Sequence, residues 1–433
     1  MQIRWTPTAG STPRSIREDG SMANHVLPPS IGLRALPRGI WTLGFVSMFM
    51  DISSEMIHAL LPVYLVTVLR ASTLTVGLIE GLAEATAMIT KVFSGALSDW
   101  LGRRKLLAAI GYGLSAVTKP IFPLATTIEW IVAARFLDRV GKGVRGAPRD
   151  ALVADLAPAR LRGASFGLRQ SLDTIGAFLG PLAALGFMLL TRDNYAMVFW
   201  IAVVPAFFAL ALMVFGVEEP ERAAATLEKP KPRFSDAWRL SRPFWAVVGV
   251  AVVLTLARFS EAFLVLRAQN VGLGIAIVPA VMVVMNIVYA LSAYPAGVLS
   301  DRFGRQGVLI VGVSTLVFAD LILAFTTSVP VLLVGVVFWG LHMGLTQGLL
   351  ATLVADTASA ELRGTAFGVL NVASGIAMLI ASVVARALWD IYGPVATFLA
   401  GAALTAMALI GLLALLARFA EGNKNVGSEH GHD

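Results

Sequence analysis

The residues able to do chemistry in this chain are acids and bases embedded in stretches that are otherwise apolar. Asp51, Glu55 and His58 stand at i, i+4 and i+7, one stripe on a helix. A later segment carries Arg135, Asp138, Arg139, Lys142, Arg145, Arg149 and Asp150. At about 100° per residue these fall within an arc of roughly 140°, so one face of a single helix is charged from end to end. Glu80, Glu84 and Lys91 precede that segment, and Arg169 and Asp173 follow it. Together they give seven acids and seven bases in the first half of the chain, a balance that favours a paired network over a bare anion-attracting surface. Carboxylates in such a network take up or release protons as burial and cationic neighbours change. Glu55 and Glu261 are the first proton-coupling candidates, followed by Asp51 and Glu84. Arg139, Lys142 and Arg145 would also suit an anionic ligand, and Asp51, Glu55, His58 and His342 would suit a divalent metal with nitrogen and oxygen ligands.

Other chemistries are excluded. The chain has no cysteine, hence no disulfide, thiolate nucleophile or Cys-ligated metal. No Walker loop and no H-E-x-x-H motif is present, which argues against ATP-driven pumping and against an enzyme, and no cofactor is expected.

The elements that must hold these charges follow from composition. Of 433 residues, 57% are hydrophobic and 14% charged, with a mean hydropathy of +0.77. A soluble protein carries roughly 25% charged residues. With about 20 apolar residues needed to cross the bilayer, the chain divides into twelve spans, near 39–68, 74–98, 105–125, 128–152, 164–190, 195–216, 244–268, 276–300, 306–327, 330–354, 365–389 and 394–418. The expected organisation is a tail over 1–37, a first bundle of six helices over 38–216, a polar linker over 217–243, a second bundle over 244–418 and a tail over 419–433. The first tail lacks the apolar core of a secretory signal and reads as disordered, with Met22 an alternative start to Met1. Lys and Arg cluster in the linker and in the loops holding Arg103, Arg104 and Lys105, Arg160 and Arg162, Arg302 and Arg305, and Arg363. That asymmetry places both termini in the cytoplasm of a cell with the protein in its inner membrane. It also accounts for the net charge of +7 without nucleic acid as a partner.

The two halves repeat. Gly95-Ala-Leu-Ser-Asp99 with Gly102-Arg103-Arg104 recurs as Gly297-Val-Leu-Ser-Asp301 with Gly304-Arg305, 202 positions later. Leu152-Val-Ala-Asp155 with Leu161-Arg-Gly163 recurs as Leu353-Val-Ala-Asp356 with Leu362-Arg-Gly364, 201 positions later. The loop G-x-L-S-D-x-x-G-R-R-K resembles the signature loop of the major facilitator superfamily. The resemblance implies an all-α membrane protein of twelve transmembrane helices in two pseudo-symmetric bundles, working by alternating access around a central cavity. Asp99 and Asp301 would then latch one conformation through the neighbouring arginines and backbone N–H groups. Gly167, Gly176, Gly180 and Pro181 resemble in part the motif of superfamily exporters; the usual closing Gly-Gly is Ala184-Leu185 here.

In the second half Arg258 and Glu261 form an i, i+3 pair and Asp320 is isolated. Phe263, Asn286, Trp339, His342 and Gln347, with His58, are the expected lining of a substrate cavity. The expected function is secondary transport by a monomer in the lipid bilayer, with protons exchanged for a small organic solute moving outward. The alternatives are proton-coupled import of an organic anion, export of a divalent metal, or a non-transporting receptor or scaffold.

Overall fold

A computed structural model describes residues 33–220, 239–274 and 279–429. Side chains are described for these residues except 73–78, 80, 81, 84, 92, 279 and 414–429. The first tail before residue 33, linker residues 221–238, the side chains of Glu80 and Glu84, and the final residues 430–433 lie outside this set.

The described chain is helical. In order, the helices are α1 (Arg38–Thr67), α2 (Thr73–Leu101), α3 (Arg104–Thr118), α4 (Ile121–Leu124), α5 (Ile128–Leu156), α6 (Arg162–Leu190) and α7 (Tyr195–Gly216). The second half continues with α8 (Arg242–Arg258), α9 (Ala262–Asn270), α10 (Pro279–Phe303), α11 (Arg305–Phe325), α12 (Val329–Thr357) and α13 (Arg363–Glu429). Among the described residues, nine segments are long and apolar enough to cross a membrane. One of them, Ala360–Leu413, holds two passes, because α13 turns at Gly393 (φ +83°), just before Pro394. Helices α2 and α5, each 29 residues, complete twelve passes. Helix α5 falls short of an apolar criterion because of its charges, not its length.

Two spans depart from the expected single helices. The third is divided at Lys119-Pro120, since proline has no N–H to continue the ladder. The seventh breaks between Arg258 and Ala262, where no Gly or Pro announces it. Phe259 there adopts φ +36°, a conformation costing a residue with a side chain about 1–3 kcal/mol. Aromatic packing holds it: the Phe259 ring lies 5.3 Å from Phe263 and 5.5 Å from both Trp339 and Phe398.

Packing follows the repeat. In the first half α1 lies against α6 and α7, and α5 against α2 and α3; in the second, α8 lies against α13 and α12 against α10 and α11. The halves meet where α2 crosses α13 and α10 crosses α6. Both crossings are glycine against glycine. A Cβ on Gly95 would sit 2.2 Å from the Gly364 carbonyl, and one on Gly297 would sit 2.1 Å from the Gly163 carbonyl. These repeat-related pairs let two backbones touch, as small residues do between membrane helices.

A charged cavity and the closed end beside it

Helix α5 brings most of its charges to the interior as expected, because a helix carrying them could not face lipid. Between α1, α2, α5 and α6 lies a cavity of about 300 Å³. Four acids (Asp51, Glu55, Asp150, Asp173) and four bases (Lys91, Lys142, Arg145, Arg149) line it, with Asn371 the one contribution from α13. Acids and bases are thus equal in number along this cavity wall. On one side Arg149 donates to Asp150 (3.1 Å), to Ser47 (3.1 Å) and to Asp173 (3.4 Å). Arg169 Nη1 adds a second cation 3.6 Å from Asp173 and 3.7 Å from Asp150. Arg145 donates to Ser115 Oγ (2.5 Å) and stacks 4.9 Å above the Tyr112 ring.

A chain of ionisable groups leads inward from the opposite side. Glu55, with 34% of its side chain exposed, lies 3.7 Å from His58 Nδ1. His58 Nε2 lies 3.6 Å from Asp138 Oδ2, and Lys119 Nζ donates to the other Asp138 oxygen at 3.0 Å. Exposure falls from 34% at Glu55 to 11%, 3% and 0% at Lys119, so the chain has a wet end and a dry end. Arg139 Nη2 lies 2.8 Å from His58 Nδ1 and 3.0 Å from Nε2, so it sits against both ring nitrogens. Arg135 is buried one turn away on the same helix. Lys119 also donates to Ser54 Oγ (3.0 Å).

The glycines of α6 explain how the acid stripe is positioned. A Cβ on Gly176 would lie 2.4 Å from the Met48 carbonyl and 3.1 Å from Asp51 Cβ. One on Gly180 would lie 2.6 Å from Glu55 Cβ. The two glycines thus allow α6 to pack directly behind Asp51 and Glu55. Gly167 does the same work against α10, at the Ala293 carbonyl. Pro181 follows within α6 without ending the helix.

One end of the molecule is closed by the repeated loops. Asp99 accepts from Gly364 N (3.0 Å), Thr365 N (2.6 Å), Thr365 Oγ1 (2.9 Å) and Arg104 (3.0 Å). Asp301 accepts from Gly163 N (2.9 Å), Ala164 N (2.8 Å) and Arg305 (2.9 Å). Each carboxylate caps the first turn of a helix in the opposite half, where N–H groups lack intrahelical partners and the dipole favours an anion. Crossed ion pairs reinforce the caps. Arg104 and Arg363 hold Asp155 at 2.7 Å, Arg162 holds Asp356 at 2.9 Å, and Arg305 also binds Asp356. Arg103 is exposed, so Arg104 is the arginine of this pair that closes the end. Gly102 (φ +65°) and Gly304 (φ +91°) make the turns. Glu219 accepts from the backbone of Arg104 (2.8 Å) and Lys105, tying the start of the linker to α3.

The second half departs from its expected part. Phe263, Trp339 and His342 were expected to line the cavity, yet all three are buried in the bundle's own packing. Trp339 packs against Phe259, and His342 Nδ1 bonds the Gly312 carbonyl (2.7 Å) on α11. The reason is the tight α11–α12 crossing, which turns His342 toward α11. His342 therefore joins no metal site with His58, and no cluster of metal-ligand residues occurs among the described residues. Asn286 donates to its own helix at Met282, and Gln347 is half-buried. Glu261 sits at the start of α9, and Arg258 Nη1 reaches Met343 Sδ (2.7 Å). Two buried cations were not anticipated as site residues. Lys119 had a signal, a lone lysine before proline in an apolar run. Arg267 donates to the carbonyls of Leu323, Ala324 and Thr326 at the end of α11.

Twelve passes in two repeat-related bundles, meeting at glycine crossings and latched by paired loop carboxylates, define a membrane carrier rather than an enzyme. The chain matches the profile of the Major Facilitator Superfamily over residues 43–276 and 259–432, and it belongs to that family. It is 34% identical over 391 residues to an uncharacterised MFS-type transporter of Methanocaldococcus jannaschii, covering 88% of this chain and 95% of that one. It is 26% identical over 219 residues to the quinolone resistance protein NorA of Staphylococcus aureus, covering 50% and 54%. The crystal structure of the human organic anion transporter MFSD10 has the same fold, with a TM-score of 0.73 and 19% identity over 87% of this chain and 99% of that one.

Proposed function

We propose that this protein is a proton-coupled exporter of a small organic solute, working as a monomer by alternating access between bundles spanning residues 38–216 and 244–418. Protons are taken up at Glu55 and Asp51 and move against the bases of α5. The observation that carries this reading is the chain Glu55–His58–Asp138–Lys119, which begins at the cavity wall and ends in a fully buried lysine. A set of permanent salt bridges would not need an acid left one-third exposed at one end. Protonating Glu55 frees His58 and Arg139 from its charge, and the rearranged pairing alters which bundle contacts are favourable. The outward direction is supported by Gly176 and Gly180 packing behind the acids, and by the likeness to a quinolone resistance protein over half the chain. An anion importer would need cations free to bind substrate, whereas Arg139 and Arg145 already bond His58 and Ser115, and the remaining candidate, Lys142, shares the cavity wall with four acids. The orientation that suits export has both termini and the latched loops in the cytoplasm of the inner membrane.

The test is accumulation of quinolones and small organic anions by cells with and without the protein, before and after an uncoupler. Lower accumulation that the uncoupler abolishes supports the proposal, and Glu55→Gln then loses net export while keeping solute exchange. Uptake that rises with expression and is lost in Arg139→Gln would replace it with import. Export indifferent to the uncoupler would remove the proton.

A further inference from the structure

The mechanism above leaves one buried acid unused. Asp320, five residues before the end of α11, has no exposed surface, and neither carboxyl oxygen has a hydrogen-bond partner among the described residues. A buried carboxylate in that situation is unfavourable, and such an orphan in a packed interior calls for a functional explanation. Its surroundings are specific. A Cβ on Gly401 of α13 would lie 2.8 Å from Asp320 Oδ2, 2.9 Å from the Phe259 ring and 3.1 Å from the Ala257 carbonyl. The acid therefore points at the place where the seventh span breaks. Helix α8 ends at Arg258, so carbonyls of its last turn, Ala257 among them, lack the next turn's N–H. Phe259, in its left-handed conformation, covers the spot.

No ionisable group on the packed elements bonds Asp320. On α9 Arg267 is spent on the α11 carbonyls, and on α12 His342 bonds Gly312. At the break Arg258 reaches Met343, while Glu261 begins α9. On α13 Arg386 pairs with Asp390 in an exposed position, and on α10 Tyr289 is buried. None of them bonds the Asp320 carboxyl.

We propose that Asp320, with the Ala257 carbonyl at the break between α8 and α9, is a proton-binding site of the C-terminal half, held as a neutral carboxyl in this conformation and discharged when the break rearranges. This deepens the proton-coupled reading and rests on it for its role in transport. On discharge the Asp320 O–H bond breaks, its electron pair stays on the carboxylate, and the proton passes to water admitted at the break. A cavity of about 130 Å³ adjoins the break at Phe259 and Gly401; its lining is almost wholly apolar, Leu256, Val384, Leu388 and Leu404 with Thr397, so it stays dry in this conformation and admits water only when the break moves. A broken helix whose free carbonyls border an ion-carrying group is a recurrent way of building a site at membrane depth.

Infrared spectroscopy of the purified full chain in nanodiscs tests this through the C=O stretch of protonated carboxyl groups. The band is expected in the wild type, retained in Glu55→Gln and Glu261→Gln, and lost in Asp320→Asn. Equal bands in the wild type and Asp320→Asn would overturn the site. Should Asp320→Asn fail to fold, Gly401→Ala decides: the added methyl meets Oδ2, so the band shifts in frequency if Asp320 carries it and stays fixed if it does not. Gly95→Val separates a carrier from a fixed group, because it pries apart the closed end without touching an acid. A weakened band in that variant is the expected result; full intensity would mean the proton never leaves, and the proposal fails. Uncoupler-insensitive export alongside an Asp320 band would instead sink the coupled transport reading and leave the protonated site standing.

Discussion

The two halves of the molecule share a plan and handle buried charge in opposite ways. In the N-terminal half ionic groups are pooled: four acids and four bases line one cavity, and a chain of contacts through Glu55, His58, Asp138 and Lys119 runs from its wall. In the C-terminal half each ionic group has its own solution. Arg267 is absorbed by backbone carbonyls, His342 by Gly312, and Asp320 by no described partner. What the halves keep in common is the rim, where Asp99 caps α13 and Asp301 caps α6, each in the opposite half, almost identically. Duplication has thus preserved the part that must act symmetrically, the closure between bundles. The interior, where only one half needs a pooled network, has diverged.

The sharpest way to break this comparison is to remove one buried partner from each half. Asp138→Asn strands the Lys119 ammonium and is expected to cost about 3–5 kcal/mol of stability, read as a large fall in the melting temperature in detergent. Asp320→Asn removes a group with no described partner and is expected to cost less than about 1 kcal/mol in the same assay. Equal losses would mean that the halves do not differ in this way.

The rim comes next. Asp99→Asn weakens charge-assisted hydrogen bonds worth roughly 1.5–3 kcal/mol and should shift the population away from the closed end. Asp301→Asn should do the same more weakly, since Asp99 has an additional partner in Thr365 Oγ1. Because the chain has no cysteine, single cysteines introduced on either side of the closed end report both shifts by crosslinking yield.

Packing follows. Gly180→Ala forces a methyl against Glu55 Cβ and should cost about 1–3 kcal/mol. Gly249→Ala, in α8 with nothing within 4 Å, should be neutral or stabilise by up to about 1 kcal/mol. Melting temperatures of the two variants separate a glycine needed for close approach from one that is not.

The smallest effect belongs to Arg386→Ala. It breaks an ion pair with both side chains more than half exposed, and the melting temperature should move by an amount equivalent to no more than about 0.5 kcal/mol.

Much of this was legible beforehand because the membrane penalises charge so heavily. The arc of charges on α5 and the stripe on α1 could only face inward, and the cavity wall sets four acids against four bases. The 201- and 202-residue offsets identified the residues that meet at the rim. Lys119 was legible in principle, as a lysine inside an apolar run, and it is the dry end of the chain of contacts from Glu55. Trp339 and His342 could not be placed, because an apolar helix such as α12 has no polar face to reveal its rotation. The break at Phe259 had no signal, since neither Gly nor Pro marks it and distant aromatic rings hold its backbone.

Hydrophobic patterning, loop charge and the internal repeat were sufficient for the class, the number of passes and the family, because the bilayer admits few ways to satisfy a backbone. Which cation meets which acid was settled by tertiary structure alone. Those partners lie on different helices, and their distances follow from glycine crossings and helix rotations that no local stretch of sequence encodes. The same holds for Asp320, isolated in the sequence and, in the fold, aimed at a broken helix about sixty residues away in the chain.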